Sequence, residues 1–164
     1  MMTIGFFLPT YGTRLMWNSP MQSVQGPNIE STEMFAIRSA SSDSEVRFLD
    51  RLGDEFVVEL QGHGVTATQW VSAFTDPQGL PGWFKDLASC ALPWKGVKSW
   101  ATLEGEFDIS ATCSPGGSVT FTVSLKGLPG SAEEWCVTAG TSSELGRLTV
   151  IAGEAQKFFE SVAC

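Results

Sequence analysis

Beyond Met34 the chain alternates apolar and polar residues with a period of two. Residues 34–38 (MFAIR) and 45–49 (EVRFL) read as short strands separated by a serine-rich turn, and a Gly53-Asp54 turn leads into 56–60 (FVVEL). The turn Gln61-Gly62-His63-Gly64 precedes 65–74 (VTATQWVSAF), where β-branched and aromatic residues dominate and nothing repeats at helical spacing. Connections this short allow hairpins but not parallel crossovers, so the expectation is an antiparallel meander.

A second strand group starts at residue 102. In 102–113 (TLEGEFDISATC) the inner set is Leu103, Gly105, Phe107, Ile109 and Ala111, and the outer set is Glu104, Glu106, Asp108 and Ser110. Ser114-Pro115-Gly116-Gly117 reverses the chain into 118–126 (SVTFTVSLK), whose Val119, Phe121, Val123 and Leu125 face inward. Residues 134–141 (EWCVTAGT) add Trp135, Val137 and Ala139 to the same face.

Two segments change period. Pro81 suits a first helical turn, and Leu80, Trp83, Phe84, Leu87 and Ala91 share one stripe, so 81–91 reads as an amphipathic helix stopped by Pro93. A loop, 94–100 (WKGVKSW), follows. The spacing Thr141-x-x-Glu144 reads as a capping box ahead of Leu145, Leu148, Ile151, Ala152, Ala155, Phe158, Phe159 and Val162 at helical period. The expected fold is α+β: a one-sided, mainly antiparallel sheet of about seven strands with two amphipathic helices on its apolar face. Residues 34–164 are expected to form this single domain. In residues 1–33 Pro and Gly recur at intervals that defeat both a helix and a long strand, which predicts an irregular N-terminal arm anchored by Trp17.

The 164 residues carry 10 Lys and Arg against 18 Asp and Glu, a formal net charge of −8 at pH 7. Nucleic-acid binding needs a basic stripe, and Lys95 with Lys98 is the densest basic pair, so a nucleic-acid partner is not expected. Nor is a membrane partner, since no run approaches a membrane span and the first residues lack the basic region of a signal peptide. Cys90, Cys113, Cys136 and Cys164 are widely spaced without a CxxC pair, which reads as free thiols in a reducing cytoplasm.

Candidate chemistry is sparse. His63 is the only histidine and sits between two glycines, which excludes a multi-histidine metal site, and no G-x-S-x-G elbow occurs. The glycine-rich turns lack the lysine and following helix of a phosphate loop. No metal or cofactor is expected. The row Glu104, Glu106 and Asp108 is the best candidate, because alternate residues of a strand share one side roughly 6–7 Å apart. Such a row can bind a cation, act as a carboxylate pair in hydrolysis, or receive Lys and Arg from a partner. It can also be the solvated outer face of a one-sided sheet, with Lys126 or Thr120 across from it. Trp94 and Trp100 flank Gly96 and two lysines, and form either an aromatic contact site or a plug at the edge of the core.

The block Gly96…Trp100-Ala101-Thr102-Leu103-Glu104-Gly105-Glu106-Phe107, with Trp94 before it and Phe158-Phe159 after it, resembles a bacterial family known only as a domain of unknown function. Members share an opening strand pair, a helix rich in Leu and Phe, a W-x-G…W loop, an L-E-G-E-L-type strand with its hairpin partner, and a closing helix ending in Phe-Phe. Members often carry a Gly-His pair before the second hairpin strand, where this chain has Gly117-Ser118. The resemblance implies a fold and brings no activity with it.

The expected function is a non-enzymatic, cytoplasmic protein-binding domain of the toxin-neutralising (immunity) type. It would take a basic protein partner through Glu104, Glu106, Asp108, Trp94 and Trp100. The alternatives are a hydrolase-type enzyme using Glu104 and Glu106, which needs a cleft over them, and a structural or scaffolding domain.

Overall fold

The computed structural model describes residues 34–160 apart from 75, 77 and 78. The expected N-terminal arm with its Trp17 lies outside the described residues, as do Val162 and Cys164.

The chain runs through four strands, β1 (Phe35–Arg38), β2 (Glu45–Leu52), β3 (Glu55–Gly62) and β4 (Val65–Ser72), and then helix α1 (Gly79–Ala88). Four further strands follow, β5 (Lys98–Ala101), β6 (Phe107–Cys113), β7 (Ser118–Gly127) and β8 (Trp135–Glu144). A 3-10 turn, Leu145–Arg147, leads into α2 (Leu148–Glu160). The order is thus one unit used twice, an antiparallel meander and a helix.

The expected single sheet of about seven strands does not form. Instead there are two four-stranded antiparallel sheets, β1-β2-β3-β4 and β5-β6-β7-β8. The meander order within each was legible from turn chemistry, but no local pattern reports whether two meanders join edge to edge. Here they meet through β1 against β8 and β4 against β7 without a continuous ladder. At the first seam the Ala40 N–H donates to the Ser142 carbonyl at 2.9 Å, and the buried Ser44 hydroxyl donates to the Gly140 carbonyl at 3.1 Å. The Thr141 hydroxyl completes the seam on Ser44 Oγ at 2.8 Å.

The extra strand is β5, inside the segment read as a loop. Lys98 and Trp100 pair with Ala111 and Ile109, extending the second sheet beyond β6. The residues assigned to the start of the next strand, 102–106, form a turn instead.

Both helical stripes are as expected, although the ends differ. Leu80, Trp83, Phe84 and Leu87 are buried along α1, which starts at Gly79 and ends before the exposed Ala91. Leu148, Ile151, Ala155, Phe158 and Phe159 are buried along α2. The capping box is not used. Glu144 keeps extended backbone at the end of β8 and makes no side-chain cap bond, while Thr141 is committed to the inter-sheet seam.

One hydrophobic cluster joins both sheets and both helices. Its centre is Phe48, 0% exposed, whose ring stacks on or meets edge-on Phe35, Phe84, Phe107, Phe158 and Phe159. Such offset and edge contacts add to the area term of burial. The alternation on β6 and β7 holds from Phe107 onward, with Ile109, Ala111, Val119, Phe121, Val123 and Leu125 all buried.

Candidate functional site

The acidic row is not a row on one strand. Glu104 is exposed in the turn between β5 and β6, Glu106 immediately precedes β6, and only Asp108 lies within a strand. The alternation of Leu103, Gly105 and Phe107 imitates a strand, but Gly105 has φ +74, a left-handed conformation that reverses the chain. The Gly105 N–H donates to the Thr102 carbonyl at 3.2 Å, and the Thr102 N–H donates to the Phe107 carbonyl at 3.0 Å, closing the turn. Leu103, expected on the inner set, is therefore 79% exposed.

Glu106 binds three segments together. The Thr102 hydroxyl donates to its Oε2 at 2.6 Å, and the Ser72 N–H at the end of β4 donates to its Oε1 at 3.2 Å. Its backbone carbonyl accepts the Lys126 N–H at 2.9 Å, prolonging the β6–β7 ladder. Thr102 is buried and has one hydroxyl proton, so the shorter contact to the carboxylate takes it. The Phe107 N–H then donates to Thr102 Oγ1 at 3.3 Å.

A second tie holds the same corner. The Trp100 Nε1 donates to Asp76 Oδ2 at 3.2 Å, joining β5 to the approach of α1. A Cβ at Gly79 would overlap both the Asp76 carboxylate and the Trp100 indole nitrogen, so the glycine lets them close over the start of the helix. Between these ties stands Phe74, two residues from both Ser72 and Asp76 and 76% exposed. Phe74 and Leu103 thus project from two segments that Glu106 and Asp76 hold in place. Sequence reasoning missed both as surface residues; for Leu103 the available signal was Gly105 inside an apparent strand.

The tryptophans divide. Trp94 and Trp100 are both partly buried against the core, Trp100 with its ring 6.0 Å from Phe107, so each packs at the core edge. Trp100 also reaches the acidic corner through its hydrogen bond to Asp76. Of the two residues expected across from the acids, Lys126 lies opposite Glu106, whose carbonyl accepts its N–H, whereas Thr120 pairs with Thr112; Asp108 has Ala101 and Ser124 as its strand partners.

Charge is arranged unevenly. On the first sheet Arg38, Glu45, Arg47 and Glu59 form one network, with Arg38 Nε 3.2 Å from Glu45, Arg47 Nη1 3.0 Å from Glu59, and Arg47 also paired with Glu45. A hydrogen bond and charge from Glu45, and then Glu59, raise the Arg47 pKa further above its ordinary value. Among the described residues no salt bridge involves Asp76, Glu104, Glu106 or Asp108. No three His, Cys, Asp or Glu side chains among them come together as a metal site. His63 lies exposed on the β3–β4 turn.

The architecture defines a mixed α/β domain of two antiparallel sheets closed by two helices, and no described helix is long and apolar enough to cross a membrane. The chain belongs to the family of unknown function DUF6228, whose model matches residues 37–162. No curated protein and no solved structure matches the chain.

Proposed function

We propose that this chain is a non-enzymatic protein-binding domain that takes a basic partner at the corner formed by the β5–β6 turn and the segment after β4. The observation that carries this reading is two exposed apolar side chains, Phe74 and Leu103, each within two residues of a carboxylate, Asp76 and Glu104, that makes no salt bridge among the described residues. Apolar anchors rimmed by charge of one sign are what a partner of opposite sign needs for both contact and steering. The ties through Glu106 and Trp100 fix both loops before binding, which lowers the ordering cost of association.

Within this class the toxin-neutralising kind fits best, because an acidic chain of net charge −8 suits capture of a basic protein. The contact set is Phe74, Leu103, Glu104, Glu106 and Asp108, with Trp100 tied to Asp76 and Trp94 as core packing.

The test is affinity capture from the native host, with identification of the neighbouring genes. The expected result is a basic protein, encoded beside this gene, that is retained by the wild type and lost by Phe74→Ser/Leu103→Ser. An acidic partner, or one held equally by that variant, contradicts the proposal.

A further inference from the structure

We propose that the free edge of β4 is a self-association surface, pairing antiparallel with the same edge of a second copy of this chain and joining their first sheets into one. β4 is the outer strand of that sheet. Its register with β3 runs without a bulge from Glu55↔Ser72 to Gly62↔Val65. The tight turn at His63-Gly64 makes Gly62 and Val65 a hydrogen-bonded pair, and the Ala73 N–H reaches the Asp54 carbonyl at 2.9 Å, so the odd-numbered positions bond to β3. Thr66, Thr68 and Trp70 therefore aim their N–H and C=O groups away from the sheet. Among the described residues these groups have no hydrogen-bond partner. The free run ends at Trp70, because the Ser72 N–H is already bound to Glu106 at 3.2 Å.

Native edge strands are blunted by charge, proline, bulges or short length. Two other outer strands follow that rule: β5 is four residues long and carries Lys98, and β1 is four residues long and lies against β8. β4 does not. Its eight residues, VTATQWVS, hold no charge, proline or glycine, and Thr66, Thr68 and Trp70 are all exposed, Trp70 at 55%.

The free groups choose the occupant. A two-fold axis at Thr68 sets this residue against its own copy and Thr66 against Trp70 of the second copy, so each outward N–H from Thr66 to Trp70 meets a carbonyl. The side chains agree, since Trp70 beside Thr66 is an aromatic–β-branched pair and Thr68 beside Thr68 a threonine pair. On the other face Val65 falls opposite Val71 and Ala67 opposite Gln69. No Asp, Glu, Lys or Arg lies between Gly62 and Phe74, so two chains of net charge −8 meet along the strand without a like-charge contact. The paired run spans about 17 Å, which puts the interface at the small end, below roughly 1,200 Å², and makes the dimer a transient one.

The test is sedimentation equilibrium of the full chain from about 10 μM to 1 mM. The weight-average mass is expected to climb from that of one chain toward two, more steeply at high salt, which screens the repulsion between acidic copies. Thr68→Lys and Thr68→Glu each place like charges on the two-fold axis and weaken self-association about tenfold, whereas an equimolar mixture of the two variants recovers it. A mass that stays at one chain throughout, self-association untouched in both variants, or a mixture that fails to pair overturns the proposal. None of these outcomes bears on the Phe74 corner, whose own test uses Phe74→Ser/Leu103→Ser.

Discussion

Replacing Glu106 with alanine removes the tie that joins β4, the β5–β6 turn and β6. Two hydrogen bonds to a carboxylate are lost, the 2.6 Å bond from Thr102 and the 3.2 Å bond from Ser72. Bonds to a charged group contribute about 1.5–3 kcal/mol when well buried. Here Glu106 is half-buried and Ser72 exposed, so water replaces part of the second bond. The freed Thr102 proton can also turn to the Phe107 carbonyl 3.2 Å away, recovering part of the first. The net loss is about 2 kcal/mol. Glu106→Gln keeps the shape, with the amide oxygen accepting from Ser72 and the amide N–H donating to Thr102. Neutral bonds are roughly half as strong, so its cost is about 1 kcal/mol. Urea unfolding reads both as a lower midpoint at unchanged slope. Thr102→Val combined with Glu106→Ala gives less than the sum of the single losses, since the two residues share a bond. A Glu106→Ala chain within about 0.3 kcal/mol of wild type, or strictly additive behaviour with Thr102→Val, refutes the view that this carboxylate holds the corner.

Three further variants test other parts of the structure. Phe48→Ala empties the centre of the aromatic cluster and costs about 3–5 kcal/mol in the same unfolding experiment. Gly127→Ala forces a Cβ into the Trp135 indole across the β7–β8 ladder and costs about 1–3 kcal/mol, with a changed tryptophan emission spectrum. Gly79→Ala breaks the Trp100–Asp76 hydrogen bond while the buried stripe of α1 stays packed, so it changes tryptophan emission and weakens partner binding more than it lowers the melting temperature.

What was legible in the sequence followed from local physics. The alternation of Val119, Phe121, Val123 and Leu125 and the stripe Leu148, Ile151, Ala155, Phe158 report which face is buried, whatever the partner. The split into two sheets was not legible. It depends on a seam between residues about a hundred positions apart, Ser39 and Ser44 with 140–142, whose serines look like turn and surface residues. The capping-box spacing misled because Thr141 and Glu144 fit two roles, and the ten-residue β8 used them first. The acidic residues were found, but their geometry was not. Leu103-Glu104-Gly105-Glu106 carries a strand's alternation while Gly105 turns the chain, which exposes Leu103 and makes Glu106 a structural tie. Phe74 escaped notice because its exposure arises from the turn after β4 and from contacts of its neighbours with β5 and β6.

The most direct test of the binding account is the salt dependence of association between the captured basic partner and two forms of this chain, wild type and Glu104→Gln/Asp108→Asn. Neither substitution touches the Glu106 tie, so both forms stay folded. Steering by unpaired carboxylates acts on the on-rate and is screened by salt. Association of the double variant is therefore several-fold slower at low ionic strength, converges with wild type at high ionic strength, and leaves the dissociation rate nearly unchanged. Equal association rates for the two forms at low salt would contradict the assignment of this corner as the partner's landing site.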